Sequence, residues 1–346
     1  MAGITWKSGT SGDWSVGASW STGIVPGMLD DAVIGVAGAY TVTLSSQQSV
    51  KSLALNAAGA TVSVTSTLNL GGMLSVDAGT LLLTSSGVIS GGKVRDTGGG
   101  LAFNGNAILK GVTYQGVLDM SQAHASLTIA NGITLTGLAG TGTGTINLTG
   151  YNAQLHLSGP TTLDNATLNI GQQDAYSQVV GDDIGAGAVV TLGTKLAVVH
   201  TGRLASFIAN GGNPATAVVN KGLVTAALSG GNLNFGALTF TNAGTILASN
   251  ADTVVFNANT IANTGTIAVT TGGGAVFNGA WSNAGKISMV DAGLGLNGSF
   301  NTTALNSITR SGGVVSIGGA LDNSLGTINV GATTALGTLL LTSRSR

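Results

Sequence analysis

The acidic residues of this 346-residue chain are its first candidates for chemistry, because two or three carboxylates on one face can cleave a polysaccharide. All thirteen acids are aspartates. The candidates that lie close together in sequence are Asp30–Asp31, Asp182–Asp183, and Asp164 with Asp174. Neighbouring residues of a strand point to opposite faces, so an Asp-Asp dipeptide does not by itself form a catalytic pair. We expect Asp182–Asp183 to lie in a solvated turn and Asp30–Asp31 to have a structural role near the N-terminus.

The histidines could contribute a metal site or an acid–base group. They are His124, His156 and His200. None has a second histidine or a carboxylate at the spacing of metal ligands, and the chain has no cysteine for a thiolate site. His156 alternates with Leu155 and Leu157, a pattern that points its ring to water. We therefore expect solvent-exposed histidines, no metal and no cofactor.

Aromatic residues near the N-terminus could hold a sugar. Trp6, Trp14 and Trp20 are three of the four tryptophans of the chain, and exposed aromatic rings form contact surfaces for carbohydrate rings. The alternative, which we favour, is that these rings plug the first coil of the fold. The segment 172–178 breaks the alternating pattern of its neighbours, so we expect it to form a loop and to be a second candidate contact site.

The composition argues against several classes of function. The formal net charge is −1 and the twelve basic residues are scattered, so the sequence predicts no nucleic-acid partner. No apolar run reaches the roughly 18 residues of a membrane helix, and no signal peptide is visible. Charged residues make up 7% of the chain and glutamate is absent, whereas residues that suit a pleated surface are frequent. We expect almost no helix.

A short phrase, Asn-x-Gly-x-(Ile/Val), recurs through the last third of the chain. It begins at Asn220, Asn242, Asn263 and Asn283, at intervals of 22, 21 and 20 residues. Elsewhere, short runs that alternate apolar and polar residues are bounded by Gly, Asn, Ser or Asp, a pattern typical of strands and turns. A fixed period of about 20 residues predicts repeated units that bury their apolar sides against one another.

Short strands at regular spacing fit either an antiparallel sandwich or barrel, or a parallel β-helix. The repeat favours the β-helix, because its coils stack the same sequence position on itself. We therefore predict an all-β, right-handed parallel β-helix of about 20 residues per coil. Residues 1–40 would form an N-terminal capping segment, 41–215 irregular coils and loops, and 216–346 regular coils. We expect the last segment to be truncated, as part of a longer array of repeats.

Stacked coils make specific predictions about side chains. Asn242, Asn263 and Asn283 should lie one above another and hydrogen-bond amide to amide, as in cross-β ladders. We expect these asparagines, and the glycines two residues later, to adopt left-handed conformations at a sharp corner. An interior aliphatic row should contain Ile246, Ile267 and Ile287.

The repeated phrase resembles the coil motif of filamentous-haemagglutinin-type exoproteins, most clearly over 239–246 and 279–287. The opening segment, with Trp14, Trp20 and Asp30–Asp31, resembles the start of β-strand-repeat surface proteins of Gram-negative bacteria. This resemblance implies a right-handed parallel β-helix that is secreted or displayed at the cell surface and that serves in adhesion, aggregation or biofilm.

We therefore expect a non-catalytic, extracellular structural or adhesive module. Its partners would be a host or neighbouring cell surface, a matrix polysaccharide, or copies of itself. Two alternatives are a building block that forms filaments by stacking end to end and a β-helix enzyme that processes polysaccharides. A cleft with clustered carboxylates would distinguish the enzyme, and thirteen aspartates spread over 346 residues do not predict one.

Overall fold

The protein is seen in a computed structural model that describes residues 3–182, 185, 187–210, 213, 215–324, 326–328 and 339–341. Its strands form a parallel β-solenoid of about 14 turns with about 21 residues per turn. The helices of the described residues are two short 3-10 segments, Gly17–Ser19 and Thr302–Leu305, and neither has the length or the apolar character of a membrane span. The predicted all-β parallel β-helix is therefore confirmed.

The chain divides into two compact units, which are described separately. Unit 1 comprises Met1–Asn147 and Ala153–His156, and unit 2 comprises Leu148–Asn152 and Leu157–Arg346. The strands Gly144–Leu148 and Gln154–Ser158 contain residues of both units. The division lies inside the segment 41–215, which we predicted to contain irregular coils.

Unit 1 is built from rows of parallel strands. Its N-terminal segment pairs with the first full coil, because Ile4–Thr5 lies beside Asp31–Ile34 and Gly12–Asp13 lies beside Tyr40–Leu44. The remaining strands of the unit are Gln48–Val50, Ser52–Val64, Thr67–Leu70, Met73–Thr84, Val88–Ser90, Lys93–Asp96, Gly100–Asn104, Asn106–Gln115, Val117–Asp119 and Ser126–Thr136. Three long strands each pair with two shorter strands of a neighbouring coil, and they are Ser52–Val64, Met73–Thr84 and Asn106–Gln115. Their pairings with one another or with Ser126–Thr136 contain register shifts.

Alternation of side chains explains why these segments are strands. In Tyr40–Leu44, the side chains of Tyr40, Val42 and Leu44 are buried, whereas the two threonines between them are half-buried. A strand has a period of two, so one face of each row faces the interior and the other faces solvent. The same pattern recurs in the strands of unit 2.

Unit 2 contains three parallel sheets that the chain visits in turn. Sheet A comprises Ser177–Asp182, Leu204–Asn210, Asn232–Gly236, Thr253–Phe256, Gly274–Phe277, Gly293–Leu296, Val314–Ile317 and Leu339–Leu341. Sheet B comprises Thr161–Leu163, Val189–Leu192, Ala217–Asn220, Thr239–Asn242, Thr260–Asn263 and Ala280–Asn283. Sheet C comprises Ala166–Ile170, Leu196–His200, Leu223–Ala226, Thr245–Ala248, Thr266–Thr270, Lys286–Val290 and Ile308–Ser311. The strands Ser299–Asn301 and Ala320–Asp322 form a separate pair.

The interior of unit 2 consists of columns of like side chains. Ile246, Ile267 and Ile287 occupy one register position of sheet C and are at most 1% exposed. In sheet A, a column of phenylalanines stacks with ring centroids 4.8 to 5.8 Å apart. Its members are Phe207, Phe235, Phe256 and Phe277. Such rows bury a large apolar area at every turn, which stabilises the stack of coils.

The glycines of the repeated phrase are required for close packing, not for a left-handed backbone. Asn242, Asn263 and the glycines that follow them are absent from the residues of positive φ, so our expectation of left-handed corners was wrong. Instead, a Cβ atom at Gly244 would collide with the carbonyl oxygen of Gly222, and one at Gly265 with that of Gly244. The corner of each coil rests directly on the backbone of the coil before it, where only glycine fits.

Candidate functional site

The two aspartates near the N-terminus make local contacts in unit 1. Asp30 Oδ2 accepts a hydrogen bond of 2.9 Å from the backbone N–H of Gly27. Asp31 accepts a hydrogen bond of 2.6 Å from Ser52 Oγ and one of 3.1 Å from Lys51 Nζ. These bonds, first that of Ser52 and then that of Lys51, hold the pKa of Asp31 below its usual value. Asp30 therefore closes a local turn, whereas Asp31 connects its strand to the next coil.

The other predicted acids do not form a cluster. Asp164 Oδ1 accepts a hydrogen bond of 2.7 Å from the backbone N–H of Lys195, and Asp174 lies exposed in a loop. Asp182 ends a strand of sheet A, whereas Asp183 lies outside the described residues. Throughout the described part of the chain, no three His, Cys, Asp or Glu residues are grouped so that they could hold a metal ion.

Two of the histidines lie where water reaches them. His124 is exposed in a loop and has a left-handed backbone with φ 59°. His156 is half-buried, and a ring nitrogen lies 3.3 Å from Gln154 Oε1. The third does not fit our expectation of solvent-exposed histidines, because His200 is 4% exposed.

His200 forms a buried pair with Asp252 in unit 2. Its Nδ1 lies 2.8 Å from Asp252 Oδ2, and both side chains are 0% exposed. The backbone N–H of Leu228 donates to the same carboxylate oxygen at 2.9 Å. In the described structure, His200 Nε2 and Asp252 Oδ1 are buried and have no hydrogen-bond partner.

The His200–Asp252 pair connects three successive coils. His200, Leu228 and Asp252 each come shortly before a strand of sheet A. These three strands are neighbours in the sheet, in the order Leu204–Asn210, Asn232–Gly236 and Thr253–Phe256. The middle coil contributes Gly231, where a Cβ atom would lie 2.5 Å from Asp252 Oδ1 and 2.8 Å from His200 Cε1. Because the pair is closed off from solvent, it can hold coils together but cannot contact a soluble ligand.

The N-terminal tryptophans are packed against one another in unit 1. Trp6, Trp14 and Trp20 are at most 2% exposed. The rings of Trp6 and Trp14 meet Trp20 edge to face, with centroids 5.2 and 4.7 Å away. Trp20 Nε1 donates to the carbonyl oxygen of Trp14 at 2.8 Å. Rings buried in this way offer no open face on which a sugar could stack, and their function as a plug stays a prediction.

The repeated asparagines form a buried ladder in unit 2. Asn220 Nδ2 donates to Asn242 Oδ1 at 2.8 Å, and the same bond joins Asn242 to Asn263 at 2.8 Å and Asn263 to Asn283 at 2.7 Å. The last amide donates to Ser307 Oγ at 2.7 Å. All four asparagines are at most 9% exposed. Satisfied buried amides of this kind specify the alignment of one coil on the next.

The segment 172–178 borders a groove on the solvent face of sheet A. Gln172 Oε1 accepts hydrogen bonds from the backbone N–H groups of Asp174 and Ala175, which folds the segment into a turn. Tyr176 then projects beside the sheet and is 38% exposed. The groove has a volume of about 290 Å³. Its polar lining residues are Tyr176, Gln178, Ser206, Asn232, Asn234 and Asn257, and its apolar ones are Ile208 and Val255.

Hydrogen bonds between side chains hold the polar wall of the groove in place. Gln178 Nε2 donates to Ser206 Oγ at 3.0 Å. Asn257 Nδ2 donates to Asn234 Oδ1, and Asn278 Nδ2 donates to Asn257 Oδ1 at 2.6 Å. Sequence reasoning indicated only the segment 172–178, which contributes Tyr176 and Gln178, because the other lining residues come from three further strands or from the residue that follows one of them.

Comparison with protein-family models, with curated proteins and with solved structures found no match to this chain. The likeness to filamentous-haemagglutinin-type exoproteins therefore stays a prediction from the repeated phrase.

Proposed function

We propose that this protein is a non-catalytic binding module that attaches to extracellular material, in adhesion, aggregation or a biofilm matrix. The observation that supports the proposal most directly is the groove on sheet A of unit 2. An exposed aromatic ring, several amides and two half-buried aliphatic side chains line this groove together. Sites with an apolar lining and a few fixed polar groups are typical of ligand recognition.

The architecture supports a binding function because it fixes the groove without a moving part. Side chains at the groove come from four neighbouring strands of sheet A, and each strand is paired in parallel with the next. Behind that sheet, the phenylalanine column is fully buried. A ligand that binds here would meet side chains already in position, so little conformational entropy would be lost on binding.

The proposed extracellular location rests on the repeated phrase and the opening segment, which resemble those of bacterial surface and secreted proteins. A low share of charged residues, 7% of the chain, leaves faces of small polar side chains. Such faces suit broad contact with a cell surface or a matrix better than the recognition of a charged partner.

Two measurements on one sample test the proposal. The purified chain is incubated with a panel of polysaccharides and with bacterial cells, and both bound protein and newly formed reducing ends are measured. We expect binding to cells or to polymer without any increase in reducing ends. Release of reducing ends would show that the protein is an enzyme, and a lack of binding to every polymer and cell type would contradict an adhesive function.

A further inference from the structure

We infer that the groove on sheet A binds a neutral polysaccharide, a conclusion that rests on the proposed binding function and adds the class of ligand. A sugar chain presents hydroxyl groups around ring faces made of C–H groups. It therefore needs hydrogen-bond donors and acceptors beside apolar contact surfaces. Both kinds of group occur in the groove.

Three side chains in the groove have polar groups that the protein does not use. Tyr176 and Asn232 have no side-chain hydrogen bond to any described residue, and Asn234 uses its Oδ1 but not its Nδ2. A phenol can both donate and accept, and a carboxamide offers two N–H donors and a carbonyl oxygen. These groups match the mixed donor and acceptor character of sugar hydroxyls.

The direction of the asparagine hydrogen bonds leaves donors at the groove. Asn297 donates to Asn278, which donates to Asn257, which donates to Asn234. Every Nδ2 in this exposed row is used except that of Asn234, where the row ends. Cooperative polarisation along a chain of hydrogen bonds strengthens the terminal donor. Asn234 Nδ2 is therefore suited to donate a hydrogen bond to an electron-rich oxygen of a ligand.

The groove also has an apolar side for the ring faces of a sugar. The half-buried side chains of Ile208 and Val255 form its floor. Tyr176 adds an aromatic ring that is 38% exposed. An aromatic ring with a polar tip suits a ligand that is partly apolar and partly hydroxylated.

The charge of the lining favours a neutral polymer. None of the eight residues that line the groove is charged. Carboxylate, sulfate or phosphate groups of an anionic polymer are usually bound by arginine or lysine, through charge-assisted hydrogen bonds. The lining supplies no such group and no carboxylate for a cationic polymer.

The shape of the groove favours a chain rather than a single sugar. It crosses four strands of sheet A, from the strand that begins at Ser177 to the one that ends at Phe256. Strands of a sheet lie about 4.8 Å apart, so the groove extends roughly 14 Å along the stacking direction. That length accommodates several sugar units in a row, each beside the side chains of one coil.

Affinity gel electrophoresis of the full chain tests this inference. The gels contain mannan, dextran or hydroxyethyl cellulose as neutral polymers, or alginate as an anionic polymer. We expect at least one neutral polymer to retard the protein and alginate not to. Tyr176→Ala should weaken that binding by about tenfold, since it removes both the ring and the hydroxyl, and Tyr176→Phe should weaken it less. Tyr151→Ala, which changes a tyrosine of unit 2 that is 43% exposed and does not line the groove, is the matched control.

The outcomes separate this inference from the proposed function. Equal retardation of Tyr176→Ala and the unchanged protein would overturn the groove as the site, and retardation by alginate alone would overturn the ligand class. Binding to cells with no retardation by any neutral polymer would also overturn the inference, while the adhesive function would stand. Asn234→Asp keeps Oδ1 but removes the free N–H donor. If this variant retained full affinity, Asn234 Nδ2 would not be a hydrogen-bond donor to the polysaccharide.

Discussion

His200 Nδ1 lies 2.8 Å from Asp252 Oδ2, although the two residues are 52 positions apart in sequence. The same oxygen accepts a hydrogen bond from the backbone N–H of Leu228, so one carboxylate connects three successive coils of unit 2. Buried pairs of this kind seldom increase stability above that of apolar residues, but loss of one partner is costly. We therefore expect the pair to contribute mainly by specifying which coil lies on which.

Replacing one member of this pair should destabilise unit 2 strongly. Asp252→Ala leaves His200 Nδ1 and the N–H of Leu228 without an acceptor, and we expect the free energy of unfolding to fall by about 3–5 kcal/mol. The double variant His200→Leu with Asp252→Ala should lose less than the sum of the two single changes. Denaturant unfolding of the four proteins measures this cycle. His156→Ala is the control, and additive losses would contradict a coupled pair.

The buried asparagine ladder should tolerate an interruption poorly. Asn263→Ala removes the acceptor of Asn242 Nδ2 and the donor to Asn283 Oδ1. Asn242 Nδ2 keeps a bond of 3.2 Å to the carbonyl oxygen of Thr266, so we expect a loss of about 1–3 kcal/mol in the free energy of unfolding. Asn278→Ala, in the exposed row, should change stability by no more than about 0.5 kcal/mol. Equal effects of the two changes in urea unfolding would contradict a special function of the buried ladder.

The carboxylate of Asp31 should make stability depend on pH in unit 1. Hydrogen bonds from Ser52 and then Lys51 lower its pKa in the folded state from the ordinary 3.8. The stabilisation is therefore fully present above pH 3.8 and is lost as the pH falls through the lower, folded value. We expect Asp31→Asn to have a lower Tm than the unchanged protein at pH 7, and the difference to vanish in strong acid. Asp174→Asn, at an exposed aspartate, is the control for thermal unfolding at both pH values, and a difference that persists in acid would argue against this contribution.

The repeat predicted the architecture because each coil repeats the same physical requirements. In the regular coils, a buried amide, a glycine that permits close contact and an inward isoleucine or valine recur at every turn, so their spacing is visible in the sequence. The phenylalanine column obeys the same rule at Phe207, Phe235, Phe256 and Phe277, and its spacing of 28, 21 and 21 residues was an additional signal.

The buried pair and the groove were harder to predict because they join residues from different coils. The alternation that places Leu196 and Val198 inside also places His200 inside, and this local signal was sufficient to predict its burial. Its partner was not predictable, since Asp252 lies in a turn two coils later and irregular coil lengths hide the alignment. The groove likewise draws on four strands, and only the segment 172–178, which leads into the first of them, departs from the alternating pattern.

The alignment of neighbouring coils is the claim on which the groove, the ladder and the buried pair all depend, and a pair of introduced cysteines tests it most directly. The chain contains no cysteine, and Ala268 pairs with Ser288 and with Leu247 on the solvent side of sheet C. Adjacent strands lie about 4.8 Å apart, so that two cysteines paired across them are close enough to form a disulfide. Cysteines on strands two coils apart are too far from each other. Mild oxidation of Ala268→Cys/Ser288→Cys at low protein concentration should give an intramolecular disulfide, detected by peptide mapping, and Leu247→Cys/Ser288→Cys should stay reduced. No disulfide in the first variant, or equal oxidation of both, would contradict the parallel stacking of these coils.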